Sequence, residues 1–292
     1  MRSGHLRRLA VCLAIAAAAA VGCGDAPDAI GPLESLAAGV ARVQVVWWDS
    51  SGAERSRAFG TAFRVGSRGD LLTAQHVAAN ARAQRERLGR QTRASIQVAF
   101  APTAPEPGSD ADGSLSAEIT ITAEDRGADL ALLRIVEPAP EGAAGGPERR
   151  SSLRSAARLA STPPPAESAI AVAGFPIGER HLVVRSGRLL DPVALARGLG
   201  ASESLPSWLD ELLRDDAVLL ADVETRLGNS GAPIYLAESG EIIGLCSAIL
   251  LQGTLTKGEL IPLPHPPGDP ITVIIAAHRI HSFLDANRVS AR

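Results

Sequence analysis

The sequence predicts an all-β protein, built as a sandwich or as a pair of barrels. Short apolar runs of strand length alternate with clusters of Gly, Pro, Ser and Asp along most of the chain. The 28 glycines and 20 prolines favour many turns and few long helices. The 46% apolar and 21% charged residues are typical of a globular protein, and 292 residues suffice for one large domain or two small ones that share a core.

The N-terminus predicts export. Three arginines precede the small apolar run Leu9–Val21, a pattern typical of a secretory signal peptide, which we assign to residues 1–22. The apolar run is shorter than a helix that spans a bilayer usually needs. Residues 20–23, Ala-Val-Gly-Cys, resemble a bacterial lipobox, in which Cys23 becomes a lipidated N-terminal residue. A plain signal peptide with an incidental cysteine is the alternative. Residues 23–39 are expected to form a tether.

The expected localisation is outside the cytoplasm. Since Gly24 and not Asp follows the cysteine, the lipobox resemblance implies a lipoprotein at the outer membrane, attached through Cys23. The periplasm and secretion are the alternatives. A nucleic-acid partner is not expected, because the formal net charge is -3 and the chain has only five Phe, three Trp and one Tyr.

Residues 40–150 are expected to form the first half of the fold. A turn at Asp49–Gly52 joins the first two strands as a hairpin, and a helical turn, His76–Asn80, follows the third. The segment 101–116, rich in Pro, Gly and Asp, is expected to be a loop. The predicted strands are Val43–Trp48, Arg57–Val65, Leu71–Ala74, Ile96–Phe100, Ala117–Thr122 and Leu130–Val136.

Residues 151–292 repeat this pattern, after a stretch within 137–168 that is rich in Pro, Ala and Gly. An insertion, 189–216, contains Ser207–Arg214 with helical apolar spacing, and a helix, His278–Asn287, closes the chain. The predicted strands are Ala169–Ala173, His181–Arg185, Arg188–Leu190, Ala217–Leu220, Pro233–Leu236, Glu241–Leu251 and Ile271–Ala276.

The three cysteines do not predict a disulfide framework. Cys12 lies in the signal segment and Cys23 at its end, which leaves Cys246 without a partner. Because Cys246 lies in an apolar strand, a structural thiol is favoured over a reactive one.

One turn carries a candidate nucleophile. Gly228-Asn229-Ser230-Gly231 precedes an apolar strand. Glycines on both sides of a serine let the backbone expose the hydroxyl and turn amides toward a substrate carbonyl. Taken alone, the segment is equally well an ordinary turn.

Two upstream residues extend the pattern. His76 follows the strand Leu71–Ala74, and Asp129 opens an apolar strand, where its side chain can be buried. The order His, Asp, Ser is that of chymotrypsin, whereas lipase-like hydrolases and subtilisins use other orders. Three signals in this order predict a catalytic triad of His76, Asp129 and Ser230.

These segments resemble the protease domain of the HtrA (Deg) family of trypsin-like serine proteases, over about residues 40–287. The resemblance implies two six-stranded antiparallel β-barrels of the trypsin or chymotrypsin type, with a C-terminal helix. His76 and Asp129 would lie in the first barrel and Ser230 in the second. No PDZ domain is expected after the matched stretch. The motifs that carry the resemblance are Gly60–Phe63 (GTAF), Leu72–Val77 (LTAQHV), Asp129–Leu133 (DLALL), Gly174–Gly178 (GFPIG), Asp222–Pro233 and Gly240–Ile249.

The resemblance also implies roles for individual residues. Ser230 would attack a peptide carbonyl, His76 would take its proton and Asp129 would orient the imidazole. The backbone amides of Gly228 and Ser230 would form the oxyanion hole. The expected substrate is a polypeptide, cleaved without a metal or an organic cofactor. The residues expected to bind it are Glu224, Thr225, Arg226, Leu245, Cys246 and Ser247.

Three positions depart from the family pattern. Ala62 and Ala232 replace glycines, and we expect the backbone at Ala232 not to need a positive φ. The resemblance implies that Glu224 lies at the base of the primary specificity pocket, where relatives usually carry a small or apolar residue. A carboxylate there would select Lys or Arg side chains. Pairing with Arg226 across a local turn is the alternative.

Other interpretations stay open at this point. A catalytically inactive trypsin-fold lipoprotein that binds peptides or envelope partners is the alternative function. An esterase is disfavoured by the triad order and by the absence of G-x-S-x-G. For His278 and His281, three residues apart on a predicted helix, a solvated face is favoured over a metal site. The sequence makes no prediction about the oligomeric state.

Overall fold

The structure is a computed structural model. The predicted signal peptide, most of the tether and, apart from Leu213, the predicted helix Ser207–Arg214 lie outside the residues that it describes. Those residues are 39–66, 69–100, 115–136, 158–179, 181–198, 213, 216–250, 253–256, 259–262 and 271–289.

Six strands form the first barrel: β1 (Val40–Trp48), β2 (Glu54–Arg64), β3 (Asp70–Ala74), β4 (Ala94–Phe100), β5 (Leu115–Asp125) and β6 (Leu130–Ile135). They close in the order β1-β2-β3-β6-β5-β4, and each neighbouring pair is antiparallel. Helix α1 (Gln75–Gly89) starts directly after β3. It buries Val77, Ala78 and Ala81, and these small side chains let it approach the barrel closely.

Six further strands form the second barrel: β7 (Ala169–Gly174), β8 (Val183–Leu189), β9 (Val218–Asp222), β10 (Pro233–Leu236), β11 (Ile242–Leu250) and, last in the chain, β14 (Ile271–Ala276). They close in the order β10-β11-β14-β9-β8-β7. Helix α2 (Pro192–Gly198) follows β8, and a hairpin of β12 (Gly253–Thr256) and β13 (Glu259–Pro262) follows β11. The last helix, α3 (Ala277–Ala286), buries Ala277, Ile280, Phe283 and Leu284 on one face, against β11 and β14.

In the part of the chain that is described, no helix combines the length and the apolar character that crossing a bilayer requires.

The predicted fold is confirmed: the chain is mostly β, with two six-stranded antiparallel barrels and a C-terminal helix. Helix α1 continues through Ala81–Gly89, beyond the predicted turn, because Ala, Arg, Gln, Glu and Leu in this stretch are good helix formers. The strands predicted at His181–Arg185 and Arg188–Leu190 form the single strand β8, since the residues between them also pair with β7. The sequence predicts neither α2 nor the β12–β13 hairpin.

Apolar packing is continuous from one barrel to the other. A single cluster of contacting buried side chains includes Leu71 and Leu130 from the first barrel, and Ala171, Phe175 and Tyr235 from the second half of the chain. Both barrels belong to one compact unit. Loops from the two halves can therefore build a common site.

Candidate active site

The predicted catalytic side chains lie at the start of one helix and in two loops. His76 is the second residue of α1, Asp129 directly precedes β6, and Ser230 lies three residues before β10. Strands β3 and β6 pair with Ala74 opposite Leu130, so the ends of these strands bring His76 next to Asp129. Asp129 has a φ of +52°, a left-handed conformation that Asp tolerates because its short polar side chain can bond to the local backbone.

His76 and Asp129 are joined through both the ring and the backbone. The ring Nδ1 lies 3.1 Å from Oδ1 and 3.0 Å from Oδ2 of Asp129, and the His76 amide donates to Oδ1 at 3.0 Å. The hydrogen-bond pattern assigns the ring proton to Nδ1, which donates it to the carboxylate. In the neutral imidazole, Nε2 is therefore the nitrogen that can accept a proton. The His76 side chain is 42% exposed, so the ring is open to a ligand.

Ser247, in β11, is a third donor to the Asp129 carboxylate. Its hydroxyl donates to Oδ2 at 2.5 Å. Burial by itself raises the pKa of Asp129, but the hydrogen bonds from His76 and Ser247 outweigh burial and hold that pKa below the ordinary value of 3.8. The carboxylate therefore stays ionised. The sequence prediction assigned Ser247 to substrate binding and missed this contact, because the two residues are 118 positions apart.

Ser230 lies in a turn that requires glycine on both sides. Gly228 has a φ of +100° and Gly231 a φ of +87°, conformations that residues with a Cβ rarely adopt. A Cβ at Gly231 would also lie 2.0 Å from the carbonyl oxygen of Thr61. The turn is therefore held closely against the first barrel.

One residue connects Ser230 to the His76–Asp129 pair. The Ser230 hydroxyl donates to the Ser247 carbonyl at 3.3 Å, while the Ser247 hydroxyl donates to Asp129. Among the described contacts, Ser230 has no hydrogen bond to His76. Asp129, which is bonded to His76, and Ser230 nevertheless both contact Ser247 of β11, so this strand links the three predicted residues.

Two backbone amides in the turn around Ser230 have no partner among the described hydrogen bonds. The Asn229 amide donates to the Arg226 carbonyl at 3.0 Å and closes a turn whose third residue, Gly228, has a positive φ, as a type II turn requires. Within the described part of the structure, the amides of Gly228 and Ser230 have no hydrogen-bond partner. These amides are available to an incoming oxygen atom.

Three of the predicted substrate-binding residues have buried side chains. Leu245, Cys246 and Thr225 are each at most 2% exposed. Thr272 donates to the Val223 carbonyl at 3.0 Å, so in the Thr225–Thr272 hydroxyl pair, 2.7 Å apart, Thr225 is the donor. Burial leaves the backbone of Leu245, Cys246 and Thr225 as the part that a peptide could contact, and their assignment to substrate binding stays a prediction.

Cys246 is a structural thiol, as predicted. It is a free, buried cysteine, and burial raises the pKa of its thiol to about 12. A thiol in this state is neutral at ordinary pH and is a poor nucleophile.

Glu224 is partly exposed and paired with arginines. Its Oε1 accepts from Nε of Arg226 at 2.9 Å and from Nη2 at 2.5 Å, and Arg185 lies 3.4 Å from Oε2. The hydrogen bonds from Arg226 hold the pKa of Glu224 below its usual value. The three side chains, with Asn229, line a shallow cleft. This pairing with Arg226 is the predicted alternative to a specificity role.

The two alanines that replace family glycines cause no backbone strain. Ala62 and Ala232 are fully buried, and neither has a positive φ. The expectation for Ala232 is confirmed.

The described residues place no cluster of metal ligands around the histidines of the last helix. His281 donates from Nε2 to the Ala160 carbonyl at 3.2 Å. No group of three or more His, Cys, Asp or Glu suited to a metal ion occurs among the residues whose placement is described.

The chain is similar to known proteins in sequence and in fold. The model of the trypsin-like peptidase domain matches residues 60–245. Among solved structures, the HtrA-type protease AlgW, solved with a decapeptide, is similar with a TM-score of 0.55 and 17% sequence identity, over 89% of this chain and 67% of that one. At this identity the likeness concerns the fold. No curated protein matches the sequence significantly.

Proposed function

This chain belongs to the trypsin-like peptidase domain family, and from that premise we propose that it is a serine endopeptidase acting on polypeptides outside the cytoplasm. One observation carries the proposal. Ser247 contacts both Asp129, which holds His76, and Ser230, next to two unpaired amides. This arrangement supplies a nucleophile, a base, an orienting carboxylate and oxyanion donors within one site.

In the proposed acylation step, Oγ of Ser230 attacks the carbonyl carbon of the scissile peptide bond. Rotation about Cα–Cβ moves the hydroxyl from the Ser247 carbonyl toward Nε2 of His76, which takes the proton. Such a hydrogen bond is often long or absent before the substrate binds. Asp129, ionised because its pKa is lowered, holds Nδ1–H and stabilises the imidazolium.

The remaining steps use the same groups. The amides of Gly228 and Ser230 bind the oxygen of the tetrahedral intermediate. His76 then protonates the leaving amine, the C–N bond breaks, and an acyl ester remains on Ser230. Water attacks the ester with His76 as the base, and the carboxylic acid leaves as the Ser230 hydroxyl is restored.

Exposed apolar side chains beside the oxyanion loop are proposed to contact the substrate. Leu227 is 74% and Ile177 60% exposed, although large apolar side chains are usually buried. Leu227 directly precedes Gly228, so a peptide bound through that amide lies next to the Leu227 side chain, and Ile177 contacts the same loop through its amide. Glu224 and Arg226, in the cleft nearby, are the remaining candidates for side-chain recognition.

The central test is reaction with a fluorophosphonate, which labels only an activated serine. Labelling of the mature wild type that disappears in Ser230→Ala supports the proposal. No labelling of a folded wild type favours the alternative of an inactive trypsin-fold scaffold. Cleavage of an unfolded protein into internal fragments then distinguishes a peptidase from an esterase.

Export and lipid attachment are proposed from residues 1–23 alone. Metabolic labelling with an alkyne fatty acid tests them, with Cys23→Ser as the control. Label on the wild type that is lost in the variant supports a lipoprotein. An unlabelled, cleaved wild type shows instead a plain signal peptide.

A further inference from the structure

Thr61, in β2 of the first barrel, is fully buried and uses all of its polar groups. Its amide donates to the Ser230 carbonyl at 2.9 Å, and its hydroxyl donates to the Gly228 carbonyl at 2.8 Å. The same hydroxyl accepts from the Phe175 amide at 3.0 Å. Thr73 donates to the Thr61 carbonyl at 2.6 Å. One side chain of the first barrel thus holds two segments of the second half of the chain.

The bond to Gly228 determines where the neighbouring amide points. In a trans peptide, the carbonyl and the amide point in opposite directions. With the Gly228 carbonyl held by Thr61, the Asn229 amide is directed away from it and meets the Arg226 carbonyl. This turn carries the positive φ of Gly228, and its Gly228 and Ser230 amides have no hydrogen-bond partner among the described residues.

A second bond holds the preceding peptide in the same way. The Ile177 amide donates to the Leu227 carbonyl at 2.6 Å, so the Gly228 amide points away from Ile177. Ile177 lies two residues after Phe175, which the Thr61 hydroxyl also holds. The hydroxyl therefore supports both the loop and the segment that braces it.

We infer that Thr61 is the positioning residue that keeps the oxyanion-binding amides in their productive orientation, across the boundary between the barrels. The inference rests on the proposed function, because the orientation matters only where Ser230 is the nucleophile. Without the hydroxyl, the Gly228 carbonyl and the Phe175 amide are buried without a partner. The loop can relieve this by rotating peptides at Gly228, since glycine accepts either sign of φ. The rotation removes the amides from the substrate oxygen.

The test compares Thr61→Val, which keeps the shape and removes the hydroxyl, with Thr61→Ser, which keeps the hydroxyl. Thr92→Val is a control, because Thr92 bonds to Trp48 and Leu88 and to no residue of the site. The measurements are kcat and KM on a peptide substrate, affinity for a peptide aldehyde and thermal stability. The aldehyde adduct places its oxygen where the oxyanion forms, whereas KM also reflects ordinary binding.

For Thr61→Val we expect kcat and aldehyde affinity to fall together by about 10- to 100-fold, below the roughly 100- to 1,000-fold cost of losing an oxyanion donor outright. KM is expected to change less than about twofold, since ground-state contacts are untouched. Thr61→Ser should restore both values to within about threefold, and Thr92→Val should match the wild type. Should Thr61→Val fail to fold, Thr61→Cys, a weaker donor, is expected to give an intermediate loss.

Two outcomes separate the inference from the function beneath it. A folded Thr61→Val with wild-type kcat and aldehyde affinity overturns the inference and leaves the protease intact. A fall in stability with unchanged aldehyde affinity also overturns the inference, because the hydroxyl is then only structural. A wild type that neither cleaves peptides nor binds the aldehyde refutes the proposed function, and the positioning role with it.

Discussion

Ser247→Ala is expected to weaken the site through Asp129 alone. The substitution removes the 2.5 Å hydrogen bond from the Ser247 hydroxyl to Oδ2 and leaves the backbone carbonyl that Ser230 contacts. The bonds from His76 to Asp129 also remain. The variant therefore isolates one donor to a shared carboxylate.

The size of the effect follows from the exposure of the carboxylate. A hydrogen bond to a charged group contributes about 1.5–3 kcal/mol when it is buried. The Asp129 side chain is 26% exposed, so water replaces part of the lost bond. We therefore expect a net cost of about 1 kcal/mol for the substitution. This corresponds to about a fivefold loss in kcat/KM. The pKa of Asp129 should rise at the same time, because the ionised carboxylate loses a donor.

The pH dependence has a definite sign. The folded-state pKa of Asp129 is depressed, so its contribution to stability is present above the ordinary value of 3.8 and is lost as the pH falls through the folded pKa. Ser247→Ala raises that pKa toward the ordinary value. The stability difference between the wild type and Ser247→Ala is therefore expected to be largest above about pH 5 and to shrink below about pH 4.

A double-mutant cycle with Asp129→Asn is the sharpest assay. Asp129→Asn alone is expected to lower kcat by about 10⁴-fold, because the imidazole loses its required tautomer. In that background Ser247→Ala should cost almost nothing further, since the charged acceptor is gone. A full fivefold loss in both backgrounds would refute the coupling and show that Ser247 acts by another route.

Three further results are expected. Gly231→Ala should abolish folding, since it combines a positive φ with a backbone oxygen 2.0 Å from the new Cβ, whereas Ala232→Gly should cost only about 0.5–1 kcal/mol of stability. Thermal melts of both variants check this, and a stable Gly231→Ala contradicts it. Cys246 should resist iodoacetamide in the native protein at pH 8 and react after unfolding, because burial raises its pKa to about 12; peptide mapping that finds native Cys246 alkylated disproves this. Glu224→Gln should alter kcat/KM on Arg- and Val-containing peptides equally, since Arg226 already occupies its carboxylate, and a selective loss on Arg peptides would restore the specificity role.

The candidate site was predictable where its signals are local. Glycines on both sides of Ser230, a histidine directly after a strand and an acid before an apolar strand are all visible within a few residues of chain. The structure places His76 beside Asp129 because strands β3 and β6 pair, and such pairing is typical of this fold. The backbone at Ala232 has no positive φ, as expected, because this conformation depends on the local chain.

The unpredicted features depend on neighbours distant in the chain. The prediction treated Ser247, Cys246 and Leu245 alike, but in a strand alternate side chains face opposite sides. A β-bulge after Cys246 changes this alternation, so only the folded barrel shows that Ser247 faces Asp129. Helix α2 and the β12–β13 hairpin lie in stretches with weak periodicity, and the pattern of apolar residues did not reveal them.

The amino-acid sequence by itself determined the all-β class, the strands of the two barrels and the three candidate catalytic positions, because strand periodicity and turn chemistry are encoded locally. The tertiary structure alone decided the supporting contacts: Ser247 on Asp129, and Thr61 on Gly228, 167 residues apart. It also showed Glu224 paired with arginines. These contacts form only when the barrels close and pack together, since hydrogen bonds between distant residues depend on the packing of the whole core.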